Sequence, residues 1–204
     1  MNLIYRIAQN VSFIYFKLFH GFEVRGLENI PKEGSFILAS NHLSFFDPPA
    51  LGCKFPRNLH YFARDSLFFG PLGFLIKRLN SIPVNRKNLD LKTLRLVLKV
   101  LGNGNPLLVF PEGTRSRNGK PGSPQKGVGL LVVKSGVPVL PVRIQGTFEI
   151  FGPVRIFPRI RKKLKLTYGN LYPNSTIDPN PDEEDRYKKI GDRIMAAIYS
   201  IEQS

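Results

Sequence analysis

In the stretch SNHLSFFDPP, residues 40–49, one imidazole and one carboxylate stand five positions apart. His42 partnered by Asp47 has the parts of a general base. The carboxylate fixes the ring tautomer and steadies the imidazolium, while the other ring nitrogen takes a proton from a hydroxyl. On a regular helix the two side chains would diverge by about 140°. The tandem Pro48-Pro49 argues against that arrangement, because the residue before a proline is pushed out of the α region and proline suits the first turn of a helix. Asp47 is therefore expected to be an N-cap, with His42 to Phe46 a loop that can bring ring and carboxylate together. An isolated pair of this kind is more often a capping aspartate beside an incidental histidine, so its meaning depends on what else the chain places near it.

A second stretch supplies candidates. In VFPEGTRSRNGK, residues 109–120, Pro111, Gly113, Asn118 and Gly119 force a turn, and Glu112 is set among Arg115, Arg117 and Lys120. Glycine permits close backbone approach, and guanidinium is the donor best matched to phosphate oxygens. Arg86, at the end of SIPVNR, is a further cation. Any one such arginine is ordinarily solvated surface charge. Both stretches follow short apolar runs of strand length, SFILAS before His42 and PLLVF before Glu112. In open α/β sheets ligands bind beyond the carboxyl ends of strands. A His/Asp base beside anion-binding arginines suits activation of a hydroxyl on a phosphorylated substrate.

The elements that must position these residues alternate. After FEVRGLENIP, strands are expected at SFILAS, NLHYFA, SIPV, PLLVF, VPVLPVRI and KLKLTY. Between and after them, helices are expected from Pro48, through GPLGFLIKRLN, over 89–101 with Leu91, Leu94, Leu98 and Leu101 on one face, through KGVGLLVVKSG, and over 182–201 beginning with acidic residues. This order predicts an α/β fold, a single-domain mixed sheet flanked by helices. The 204 residues, 42% of them hydrophobic, suffice for one sizeable core.

The first 20 residues form a segment of their own. Plotted as a helix, Asn2, Arg6, Gln9, Asn10, Lys17 and His20 make one narrow polar stripe, and Ile4, Ile7, Val11, Ile14 and Leu18 recur at helical spacing. Leu3, Tyr5, Phe13, Phe16 and Phe19 widen the apolar arc beyond one core contact. Arg6, Asn10 and Lys17 interrupt the run, against a membrane span. The expectation is an amphipathic membrane-interface helix with one flank on the protein and one in lipid.

Thirty Lys and Arg against 15 Asp and Glu give +15, so the partner is anionic: nucleic acid, an anionic membrane surface or a phosphorylated substrate. The chain shows no helix-turn-helix pattern, zinc spacing or RNA-binding aromatic box, and its basic residues are dispersed, which disfavours nucleic acid. The single Cys53 excludes an internal disulfide, and His20 and His60 fall far from any metal-ligand spacing, so no metal is expected. Cys53 has no fixed base partner and reads as a small hydrophobe. The stretch 66–79 could line an apolar groove, and Arg161, Lys163 and Lys165 could face anionic headgroups.

Four ordered blocks resemble the 1-acyl-sn-glycerol-3-phosphate acyltransferases, the lysophosphatidate acyltransferase group of the glycerophospholipid acyltransferase superfamily. They are NHLSFFD, with the family's His and Asp at His42 and Asp47; SIPVNR, with its arginine at Arg86; FPEGTRSRNG at 110–119; and VPVLPV at 137–142. The likeness runs from FEVRGLENIP to VPVLPV, well over half the chain. It implies transfer of a fatty acyl group from an acyl thioester, acyl-ACP or acyl-CoA, to the sn-2 hydroxyl of lysophosphatidate, making phosphatidic acid for phospholipid biosynthesis without a cofactor. His42 would be the base and Asp47 its support. Arg86 and Arg115 would hold the phosphate, joined by Arg64 where the family often has lysine. Glu112 and the Gly113-Thr114 backbone would shape the pocket floor. Residues 1–20 would be a membrane-associating helix and 21–204 the acyltransferase domain, on the cytoplasmic face of a bacterial membrane. The alternatives are another lysolipid or glycerol 3-phosphate as acceptor, or a catalytically silent membrane-binding relative. Intact His42, Asp47, Glu112 and Arg115 disfavour the silent relative.

Overall fold

The computed structural model describes residues 3–84 and 91–201. Seven strands form one mixed sheet: β1 (Glu23–Arg25), β2 (Ile37–Ser40), β3 (His60–Arg64), β4 (Ser81–Val84), β5 (Leu107–Val109), β6 (Val139–Gln145) and β7 (Lys165–Tyr168), in the order β1-β7-β6-β2-β5-β3-β4. From β6 to β4 all pairs are parallel. At the other side β7 runs antiparallel to β6, and β1 runs parallel to β7. The parallel strands therefore end at one edge, and the residues that follow β2 and β5 meet there.

Helices cover both faces. On one lie α1 (Leu3–His20), α2 (Asp47–Cys53) and α6 (Thr147–Phe151). On the other lie α4 (Leu91–Gly102), α5 (Lys126–Ser135) and α8 (Arg186–Ser200). The central strands divide their side chains with period two: Phe36 and Leu38 join Leu51, Ile150 and Phe16, while Ile37 and Ala39 join Val97, Val132 and Ile194. Burial on both faces explains why these strands are unbroken apolar runs in the sequence. The short helices α3 (Gly70–Arg78) and α7 (Asn174–Ile177) complete the chain.

Several local expectations are corrected. Asp47 is not an N-cap: Phe46 holds that position with helical φ and ψ, and Asp47 is already in α2. A capping side chain needs the N–H two or three residues on: Pro49 has none, and the Ala50 N–H already donates to the Phe46 carbonyl (3.0 Å), so the carboxylate turns back to the preceding loop. On α4 the buried face is centred on Thr93, Val97 and Leu101, and Leu91 is exposed. The acidic residues 182–185 precede α8, because Asp185 takes a left-handed φ of 54° and the helix starts only at Arg186. Two of them serve as ion-pair partners, Glu183 meeting Arg193 and Lys189 and Asp185 meeting Lys126.

The amino-terminal helix also differs in detail. Tyr5 and Phe16 are buried on the domain, and Leu3, Ile7, Val11, Ile14 and Leu18 face outward. The expected polar stripe is broken. His20 is buried, and the Gln9 amide donates to the carbonyls of Gly52 (2.8 Å) and Phe55 (3.0 Å), satisfying the end of α2. Among the described residues no helix is long and apolar enough to cross a membrane.

Candidate active site

The chain leaving β2 is buried from Ser40 to Ser44, an unusual place for a loop, so each of its polar groups needs a partner. Asn41 pairs with the backbone of Ile144 on β6, donating to its carbonyl and accepting from its N–H at 2.9 Å each. The His42 N–H donates to Glu112 Oε2 at 3.2 Å, and the His42 carbonyl accepts from the Ser116 N–H at 2.9 Å. The Ser44 hydroxyl donates to the Phe151 carbonyl at 2.6 Å and accepts from the Phe46 N–H at 3.0 Å.

Asp47 closes the turn. Its Oδ2 accepts from the N–H groups of Leu43 (2.6 Å) and Ser44 (2.7 Å), and lies 2.7 Å from His42 Nδ1. An oxygen already accepting from two amides accepts from the ring as well, so Nδ1 carries the proton and Nε2 presents its lone pair. The ring is stacked on Phe110, with centroids 3.8 Å apart and planes 13° from parallel, which fixes its remaining rotation.

Glu112 is buried beneath this loop, where its second oxygen accepts from the Gly122 N–H at 3.4 Å. Burial pushes its carboxyl above the ordinary value, against the lowering effect of the two amides it binds. It holds the backbones of the His42 loop and of the 110–122 segment together and is absent from the cavity wall. Gly113 turns the chain with a φ of 68°, a conformation that favours glycine. Thr114 is exposed and does not line the cavity; Arg117 and Lys120 are also exposed.

A cavity of about 820 Å³ opens beside His42, well within the size of small-molecule sites. Its origin is a split in the sheet. β3 pairs with β5 only at His60↔Leu107 and Tyr61↔Leu108, then follows β4 to Arg64. The two banks carry Phe62 and Ala63 on one side and Val109 and Phe110 on the other, and Tyr5, Ala8, Gln9 and Ser12 of α1 contribute a wall. Arg115 and Arg64 also line it, the Arg115 guanidinium lying 3.4 Å from the centroid of the Phe45 ring. Arg86 lies outside the described residues. Of the stretch expected to form a groove, Leu67, Ile76 and Leu79 do line the cavity, whereas Phe69 and Phe74 point outward.

Cys53 also faces the cavity, but burial pushes its thiol up to about 12, so at neutral pH it is protonated and a poor nucleophile. Neither His20 nor His60 lines the cavity. Sequence reasoning missed Asn41, Ser44 and Phe110, whose partners are distant in the chain. It also missed the polar residues of α1 in the cavity wall, hidden there by the helix's apolar excess.

A buried carboxylate–imidazole pair lies beyond the central strand of an α/β sheet, beside an apolar cavity with cations at its wall, and has the chemistry needed to activate a hydroxyl. The Acyltransferase family model matches residues 21–145, so the chain belongs to that family. It is 28% identical over 144 residues to a 1-acyl-sn-glycerol-3-phosphate acyltransferase of Bacillus subtilis, covering 70% of this chain and 71% of that protein. It is 30% identical over 136 residues to a chloroplastic 1-acyl-sn-glycerol-3-phosphate acyltransferase of Arabidopsis thaliana, covering 65% of this chain. That match takes in only 38% of the plant protein, and a similar Brassica napus enzyme is matched over 39% of its length. The crystal structure of the 1-acyl-sn-glycerophosphate acyltransferase PlsC from Thermotoga maritima superposes with a TM-score of 0.79 at 29% identity, covering 98% of this chain and 78% of that one.

Proposed function

We propose that the protein transfers a fatty acyl group from an acyl thioester to the sn-2 hydroxyl of 1-acyl-sn-glycerol 3-phosphate, giving phosphatidic acid. The observation that carries this reading is the His42–Asp47 pair, 2.7 Å apart and buried, at the wall of a mainly apolar cavity. His42 Nε2 takes the hydroxyl proton as its oxygen attacks the thioester carbonyl. Asp47 holds the tautomer and offsets the charge that develops on the ring. When the tetrahedral intermediate collapses, the proton passes from the imidazolium to the departing thiolate. The reaction needs no acyl-enzyme and no cofactor.

Arg115, with Arg64 and Arg86, is the proposed clamp for the acceptor's phosphate, and the split between β3 and β5 takes an acyl chain. Residues 1–20 act as the membrane-associating helix of the acyltransferase domain at 21–204. The outward row of Ile7, Val11, Ile14 and Leu18 supports this. Working at the cytoplasmic face of a bacterial membrane would bring lipid acceptor and soluble acyl donor together.

The test is a panel of acceptors offered to purified protein with acyl-ACP and acyl-CoA separately: lysophosphatidate, a monoacylglycerol, glycerol 3-phosphate and a lysolipid with a larger headgroup. Phosphatidic acid from lysophosphatidate should form fastest. Faster acylation of the phosphate-free acceptor would contradict the reading.

A further inference from the structure

The connection from α6 to β7, residues 152–164, has no role in the site described above, yet it holds four large apolar side chains in solvent: Val154 (80% exposed), Ile156 (83%), Phe157 (79%) and Ile160 (57%). Isolated exposed hydrophobes need no explanation, but a contiguous set does. The segment is pinned. The Arg159 N–H donates to the Ile150 carbonyl (2.8 Å), closing a short loop whose tip is Pro153 to Pro158. The Arg161 N–H donates to the Phe19 carbonyl (2.8 Å), tying its far end to the last turn of α1. Two prolines and these closures keep the apolar tip presented.

The charges carried by the segment itself have one sign. Arg155, Arg159, Arg161, Lys162, Lys163 and Lys165 fall within the segment or just after it, and no acidic residue occurs between Glu149 and Asp178. Apolar side chains interleaved with cations match the layered chemistry of a lipid surface, with acyl boundary beneath and phosphates above. The placement agrees. The loop begins at Phe151, whose carbonyl accepts from Ser44 in the active-site turn and whose ring lies 5.1 Å from that of Phe46. It ends against α1, whose free face is apolar.

We infer that residues 153–161 are a second membrane-inserting element, which seats its apolar tip in an anionic phospholipid leaflet and so sets the active-site turn against the surface that holds the lipid substrate. This rests on the proposal above that the protein works at a membrane. An anionic leaflet is favoured over a protein partner because the apolar and basic residues are intermixed along one short loop and continue to the outward face of α1.

The chain contains no tryptophan, so Phe157→Trp gives a single reporter on an exposed position. With vesicles of phosphatidylglycerol and phosphatidylcholine, its emission should shift to the blue and be quenched by brominated acyl chains. Ile156→Asp/Phe157→Asp, with both changes on the exposed tip, should weaken vesicle binding by at least about tenfold while leaving turnover on detergent-dispersed substrate unchanged. If the tryptophan variant floats with the vesicles and its emission does not shift, the loop inference is overturned and the membrane reading stands. If neither wild type nor variant binds vesicles, both are overturned. If the aspartate variant binds vesicles normally and only its KM for a protein-borne acyl donor rises, the loop docks a protein and the inference fails.

Discussion

One carboxylate oxygen, Asp47 Oδ2, gathers the ring of His42 and the amides of Leu43 and Ser44, and that single convergence orders a surface-prone loop around the imidazole. The pair was legible in the sequence because two prolines argue against a helix between its members and because the 109–120 stretch sets arginines after a neighbouring strand. How Asp47 is used was not, since Pro49 removes one amide a cap would bond and the other, from Ala50, goes to the Phe46 carbonyl. Asn41 and Ser44 were illegible because their partners, Ile144 and Phe151, are more than 100 residues away. For the clamp, Arg115→Ala and Arg86→Ala should raise KM for lysophosphatidate more than KM for the acyl donor, and lysine should rescue only in part, lacking the planar fork. Steady-state kinetics with each substrate varied in turn checks this, and equal effects on both substrates would argue against phosphate binding. For Glu112, burial holds the folded-state carboxyl above its ordinary value of 4.5. Its contribution to stability is therefore fully present below that pH and is lost as pH rises through the raised folded value. Glu112→Gln cannot titrate. Between pH 4.5 and neutrality, wild type should lose Tm relative to the variant; parallel curves would show that the carboxyl is not perturbed.

At the scale of elements, α1 has two different flanks, and they should fail differently. Phe16 is 1% exposed and packs with Phe22, Phe46 and His20, so Phe16→Ala should cost about 3–5 kcal/mol, read by urea denaturation. Ile7 and Ile14 are about half exposed, so Ile7→Asp/Ile14→Asp should leave stability within about 1 kcal/mol and release the protein from liposomes in a flotation assay. A large stability loss in the aspartate variant would mean that this face is packed on protein. The sequence showed that the apolar arc was too wide for one contact, and the structure divides it. The polar stripe was misread because Gln9 and His20 are drawn inward, the former by the carbonyls of Gly52 and Phe55, a contact with a distant segment that helical periodicity does not reveal. The split between β3 and β5 was likewise illegible, because residue types do not show where two strands stop pairing.

Across the whole molecule, alternation of strands and helices was enough to predict a mixed sheet covered on both faces, but not the strand order, which depends on how each crossover passes the central strand. That order puts β2 beside β5 and so brings the segments that follow them side by side. The net charge of +15 acts at this scale too. Adding salt should weaken binding to anionic liposomes without abolishing it, because only the electrostatic part is screened and burial of apolar surface remains. Sedimentation at low and high salt measures this, and complete release at high salt would show that no apolar anchor holds the protein on the membrane. Direct activation of the acceptor hydroxyl by His42, oriented by Asp47, is tested by the rate of phosphatidic acid formation by wild type and His42→Ala, with saturating acyl thioester and lysophosphatidate in mixed micelles. The variant should fold with unchanged circular dichroism and lose about 100-fold to 10,000-fold in kcat. A folded His42→Ala protein that stays within about tenfold of wild type would show that the proton is taken elsewhere, outside the range a general base supplies.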